Sequence, residues 1–248
     1  MNPSMTENAK PTGSDTKSRY DVGHDHGDVS GGWLRAATFG AMDGLVSNTA
    51  LIAGVGAAAD AHAVVLGGFA GLAAGAFSMA LGELASVQTA NEQIDSEVRV
   101  ERRAFRKHPQ AEKAELAHMM QELGMSEATA RQAAEEIHRD EDRAINFHIV
   151  QEIGIDPTEK PSPYVAAISS FFMFAIGAVT PLIPYLFGFE HLWLGLAFGG
   201  LGLMIAGGVA SRFTGKPVWF AALRQLAFGV VAVAATYLVG MLVGVAVT

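Results

Sequence analysis

Long, nearly uncharged apolar runs constrain this chain more than any other feature of its sequence. Five segments approach or exceed the about 20 residues that an α-helix needs to cross about 30 Å of hydrocarbon. They run from about Trp33 to Ala59, His62 to beyond Leu84, Pro163 to Phe187, His191 to Ala210 and Val218 to Val247. Arg35 stands near the start of the first, and Asp43 is the one charge inside it. Glu83 is the sole charge of the second, the third has none, and Arg224 interrupts the fifth near its start. A soluble core cannot absorb that much apolar surface, whereas a bilayer can. The runs are continuous rather than alternating, which points to helices and not to a barrel. Pro181 and Pro184 are expected to kink the third helix.

Charge is segregated elsewhere. Between Asn91 and Lys160 lie 16 of the 25 acidic residues and 10 of the 17 basic ones. This insert reads as helical. Asn91 to Lys107 continues the second membrane helix into water, and His108-Pro109 breaks it. Pro109 starts a helix to Leu123, Ser126 caps another over Glu127 to His138, and a third over Glu141 to Ile153 ends at Gly154. The fold class expected is therefore an all-α integral membrane protein: five transmembrane helices with a helical insert between the second and third. The segments are 1–30, a polar disordered tail without the apolar region of a signal peptide; 31–90, the first two membrane helices; 91–160, the insert; and 161–248, the last three.

Orientation follows from Lys and Arg placement. Arg35, the insert and the Arg212–Lys216 turn share one side if five helices alternate, while the connections Asp60–His62 and Gly188–His191 carry neither residue. The N-terminus and insert are thus expected in the cytoplasm and the C-terminus outside. A net charge of −8 argues against a nucleic-acid partner. With no cysteine, any metal site must use carboxylate, imidazole, thioether or amide ligands.

Asp43 lies about 12 Å along its helix from Arg35. A carboxylate in lipid is costly, so it should face a bundle interior or a watery path, either as a functional group or as an interhelical hydrogen bond. Met79 and Glu83, at i and i+4, share a face of the second helix, with Ser78 and Ser86 beside it. Thioether plus carboxylates suits Fe²⁺ or Mn²⁺ and not Na⁺; core filling is the other use of Met79. Gly40, Gly44, Gly67, Gly68, Gly71 and Gly75 permit close helix contact, in a dimer interface or within one chain. In the insert, Glu112 and Glu115 are i, i+3, and His148 and Glu152 are i, i+4. Glu115-x-x-His118 and Glu135-x-x-His138 match the element of di-iron helical proteins. Such pairs also arise on any charged helix face. His24-Asp25-His26 in the tail is a weaker metal grip.

The run Gly40-Ala41-Met42-Asp43-Gly44-Leu45-Val46-Ser47-Asn48, followed by Gly75-Ala76-Phe77-Ser78-Met79-Ala80-Leu81-Gly82-Glu83, resembles the vacuolar iron transporter (VIT) family. The resemblance extends from about Ser30 through the acidic insert, Gly154–Pro157 and the Pro181/Pro184 helix. It implies a homodimer of five-helix subunits that moves Fe²⁺, often also Mn²⁺, out of the cytoplasm in exchange for protons. It implies a path lined by Asp43, Met79 and Glu83. It also implies a cytoplasmic metal-binding domain using Glu101, Glu112, Glu115 and Glu152, with His148 where a methionine is common and Ala104 where another glutamate is. Fe²⁺, with Mn²⁺ or Zn²⁺, is expected as cargo or bound ion, with no prosthetic group. The chain has no N-terminal ferritin-like domain such as some bacterial relatives carry, so an enzymatic role is not expected. The alternatives are a membrane ferroxidase built on the two Glu-x-x-His elements, or a metal sensor without flux. No eukaryotic targeting feature is visible, and a bacterial inner membrane is expected.

Overall fold

The computed structural model describes residues 32–154 and 156–247. The tail expected over 1–30, with His24 and His26, lies outside the described residues. All regular structure within them is helical: α1 (Gly32–Gly56), α2 (Ala61–Lys107), α3 (Pro109–Glu122), α4 (Glu127–Ile137), α5 (Glu141–Ile153), α6 (Pro163–Val179), α7 (Ile183–Leu186), α8 (Leu192–Thr214) and α9 (Val218–Val247).

Local chemistry sets these boundaries. Asp60 caps α2 by accepting from the Ala63 amide at 3.0 Å, and Asp140 caps α5 by accepting from Arg143 at 3.0 Å. Ser126 does the same for α4 through Thr129 at 3.3 Å. Pro109 and Pro163 open α3 and α6, where a missing N–H costs nothing. Gly154 closes α5 at φ 73°, a conformation that favours glycine. Pro181 interrupts the third apolar run as expected: α6 yields to a 3₁₀ turn over Thr180–Leu182 before α7 resumes.

Among the described residues, four stretches are long and apolar enough to cross a membrane: α2, the α6–α7 unit (Pro163–Leu186), α8 and α9. α1, at 25 residues, equals them in length but not in hydropathy, because Arg35, Asp43 and Asn48 lie along it. Its surroundings explain the tolerance. α1 packs against α6, α9, α2 and α8 along most of its circumference, leaving Trp33 and Phe39 exposed. α9, by contrast, exposes Val230, Val231, Leu238, Val239 and Leu242, a surface suited to hydrocarbon.

Close backbone approach makes the α1–α6 contact. A methyl group at Gly40 would lie 2.7 Å from the Ser170 carbonyl oxygen, and one at Gly44 or Gly177 would overlap the carbonyl oxygens of Phe174 or Ala41. Gly75 receives the Phe174 ring, and Gly68 receives Leu182. The small residues of α1 and α2 thus serve packing within one chain.

α2 is 47 residues long, about 70 Å at 1.5 Å per residue, more than twice the hydrocarbon thickness. Its apolar half packs on α1 and α6; its charged half is the spine for α3 and α5. Phe105 of α2 packs with Ala144, Ile145 and Ile149 of α5. Leu116, Ala117 and Met120 of α3 pack with Ala130 and Ala134 of α4. Asn91 donates to the Pro161 carbonyl at 3.0 Å, and Lys160 pairs with Asp95, tying the chain's return to the same helix.

Candidate metal-binding sites

His148, on α5, is fully buried, and neither ring nitrogen has a hydrogen-bond partner among the described residues. Its Nδ1 lies 3.5 Å from Glu101 Oε1 on α2 and 3.7 Å from Glu152 Oε1 one turn along α5. Glu112 and Glu115 reach the same point from α3. Two groups result, Glu101–Glu112–His148 and Glu115–His148–Glu152, and in each the ligand atoms lie within 4.8 Å of one another. An ion about 2.1 Å from each ligand would hold opposed ligands about 4.2 Å apart, so each group is a small side-chain adjustment from coordination. Of the insert residues named from the sequence, Glu101, Glu112, Glu115, His148 and Glu152 are brought together.

The electrostatics are those of a site short of positive charge. Burial, reinforced by the negative charges of Glu112, Glu152 and Glu115 and by a hydrogen bond with Glu112, raises the Glu101 pKa from 4.5 to about 7. Glu101 Oε1 is also buried without a hydrogen-bond partner. Buried polar atoms without partners are uncommon in folded proteins. Here three converge, and carboxylate plus imidazole is a donor set that suits Fe²⁺, Mn²⁺ or Zn²⁺.

The di-iron-like elements do not converge. His118 is exposed and pairs with Glu122 at 3.6 Å. Glu135 is exposed on α4, and neither metal-holding group among the described residues contains it, His118 or His138. His138 instead stacks on Phe105, ring centroids 4.8 Å apart, and its Nδ1 lies 3.1 Å from the Ala134 carbonyl oxygen. Burial lowers its pKa below the ordinary imidazole value. Phe105 also meets His148 edge-on at 5.3 Å. Sequence reasoning passed over this aromatic wall, although Phe105 is an apolar residue four positions after Glu101 in a charged run.

In the apolar half of the fold, Asp43 of α1 and Met79 and Glu83 of α2 line one cavity of about 440 Å³, together with Ser47 and Ser78. Ser86 is not among its lining residues. Asp43 Oδ1 accepts from the Ser47 hydroxyl at 2.9 Å. Glu83 is nearly buried, its side chain 11% exposed, and its Oε1 accepts from Arg35 Nη2 at 2.6 Å. The sequence reading used Arg35 only to orient the chain, since nothing local marks a partner 48 residues away. Asn48, which ends the first family-like run and was given no role of its own, is buried and donates to the Ala178 carbonyl at 2.5 Å, fastening α1 to α6.

Comparison with known proteins agrees with the motif pairing. The chain is 33% identical over 220 residues to a vacuolar iron transporter of Acanthamoeba castellanii, which covers 85% of this chain and 78% of that protein. It is 33% identical over 216 residues to vacuolar iron transporter homolog 1 of Arabidopsis thaliana, covering 86% and 84% of the two chains. To VIT-like transporter 1b of Glycine max it is 32% identical over 216 residues, covering 86% and 76%. The sequence profile of the VIT family matches residues 34–241, nearly everything that follows the tail. On that coverage, the chain belongs to the VIT family.

Proposed function

We propose that this protein is a transporter of divalent iron, and of manganese as a second ion, that moves metal out of the cytoplasm in exchange for protons. The names of its relatives support iron as the cargo. The observation that carries the reading is that one continuous helix holds both ligand sets. α2 bears Met79 and Glu83 in its apolar half and Glu101 in its charged half, about 27 Å further on at 1.5 Å per residue.

The protein works as a homodimer of five-helix subunits, α1 being the fifth span. The N-terminus and residues 91–160 lie in the cytoplasm and the C-terminus outside, as the Lys/Arg asymmetry requires; the membrane is a bacterial inner membrane. Glu101, Glu112, Glu115, His148 and Glu152 collect the metal. Glu101, half-protonated near neutral pH, gives up its proton as an ion arrives, so capture by its protonated form changes the buried charge by one less than the charge of the ion. The ion passes to Met79 and Glu83 at the cavity mouth and then past Asp43, whose carboxylate is the place for metal and proton to exchange. Ser47 holds Asp43 in one rotamer for this purpose. Apart from proton exchange at carboxylates, no step forms or breaks a covalent bond, and the protein is not an enzyme in this reading.

Reconstitution into vesicles with a trapped pH-sensitive dye tests it. Fe²⁺ and Mn²⁺ should cross, with protons moving the other way. Metal binding without flux would make the protein a sensor, and Fe²⁺-dependent oxygen consumption would make it a ferroxidase.

A further inference from the structure

We infer that Arg35 is a tethered competitor for the metal at Glu83: its guanidinium fills the carboxylate's cation position until a divalent ion displaces it. The inference rests on the transport reading above and adds a residue and a selectivity step to it.

Three observations carry it. Glu83 lines the cavity beside Met79 and is nearly buried, so a carboxylate there needs a cation close by. Arg35 supplies one, with Nη2 at 2.6 Å from Oε1. The two ends of this pair are unlike: the Arg35 side chain is 63% exposed and the Glu83 side chain 11%. Arg35 stands in the first turn of α1, where a long side chain can swing into water while its charge stays hydrated. Glu83 has no such freedom.

Guanidinium does not lose its proton at any physiological pH. Arg35 therefore stays charged when it swings away from Glu83, and any cation that binds this carboxylate oxygen must compete with it. A monovalent ion offers Glu83 no more charge than the guanidinium it would replace, and it lacks the fixed, directed N–H donors. A divalent ion offers twice the charge and draws on the neighbouring Met79 thioether and cavity carboxylate as well. Glu83 is then a cation-exchange site that passes divalent ions and rejects the potassium and sodium around it. A structural tie between α1 and α2 would place the same two residues together; what sets this pair apart is that its carboxylate also lines the cavity that Asp43 and Met79 line.

The test uses Mn²⁺ titrated into the full-length protein in a His148→Ala background, which removes the ligand shared by both groups in the charged half. Arg35→Gln should tighten the remaining Mn²⁺ binding by about five-fold, the loss of one partly exposed ion pair. Arg35→Lys should fall between wild type and Arg35→Gln, because the ammonium competes as a point charge without the fork. With Glu83→Gln also present, the residue at position 35 should no longer affect Mn²⁺ affinity. Should Arg35→Gln not yield folded protein, Arg35→Lys decides by itself. Unchanged or weaker Mn²⁺ affinity in the folded variant overturns the inference, as does tightening that persists with Glu83→Gln. Flux by the protein with native His148 is measured alongside. Tightening without wild-type flux removes the transport reading and leaves the exchange site; flux without tightening does the reverse.

Discussion

Glu101 is held in an electrostatic conflict that a proton relieves below about pH 7 and that nothing among its described neighbours relieves above it. It is an acid whose pKa, about 7 in the folded chain, lies above its ordinary value of 4.5. Between those values the folded state binds more protons than the unfolded state, so stability falls as pH rises from about 4.5 to 7 and levels off above. In metal-stripped protein, Glu101→Gln should abolish this dependence and raise stability at pH 8 by on the order of 2 kcal/mol, leaving it unchanged near pH 4.5. Added Mn²⁺ should reverse the ranking at pH 8, since an ion bound only by the folded state stabilises it by mass action and the variant holds it less well. Thermal unfolding at several pH values, with and without Mn²⁺, reads both effects. A variant no more stable than wild type at pH 8 without metal would remove the conflict from the account. The residues that converge in the charged half were named from the sequence, Glu112, Glu115, His148 and Glu152 by local spacing and Glu101 by the family's pattern alone. Their ranking was not: that His148 is the buried hub, and that Glu-x-x-His spacing at 115–118 and 135–138 leads nowhere, depends on which faces of α3, α4 and α5 turn inward. Helix spacing fixes what shares a face, not what the face meets.

At the scale of elements, the helix ends were legible because their causes are local. Pro109, Ser126, Asp140 and Gly154 each act within a turn of their own position. Contacts between helices were less so, and Gly40-xxx-Gly44 is the instructive case. Its spacing permits close approach to any helix, of this chain or a second copy. In the fold it meets α6, with Gly177 completing the fit from the other side. Gly44→Val should therefore damage the protomer itself. The added atoms meet backbone that cannot rotate away, at a cost of about 1–3 kcal/mol or more. Gly67→Ala is the control: its methyl would rest 3.6 Å from Val55, an ordinary contact, and relief of backbone entropy should leave stability equal or about 0.5–1 kcal/mol higher. Thermal unfolding in detergent compares them. If Gly44→Val were to dissociate a dimer while leaving the protomer's unfolding temperature unchanged, the α1–α6 account would fail.

For the whole molecule the question is whether α1 spans. Hydropathy alone withholds it, because Arg35, Asp43 and Asn48 make it less apolar than the four clear spans. A carboxylate at the centre of a lipid-facing helix costs about 2.5–3.5 kcal/mol on insertion scales. That cost assumes lipid, however, and α1 packs on α2, α6, α8 and α9, with Ala36, Gly40, Gly44, Asn48 and Ile52 all buried. A helix that packs on four others needs small residues more than it needs hydropathy, and its 25 residues reach about 37 Å. The count has a consequence for the two chain ends. With the residues between α2 and α6 in the cytoplasm, α6–α7, α8 and α9 carry the C-terminus outside whether or not α1 spans. The N-terminus alone discriminates: five spans put it opposite the C-terminus, four put it on the same side. The chain has no cysteine, so single introduced thiols report position without background. Thr248→Cys and Ala59→Cys should react with a membrane-impermeant thiol reagent in intact cells, and Glu136→Cys should react only after lysis. Ser4→Cys should also stay protected until lysis if α1 crosses, held inside by Arg35 at the membrane surface. Labelling of Ser4→Cys in intact cells would reduce the protein to four spans and strand Asp43 on a helix that never enters the path proposed for the metal.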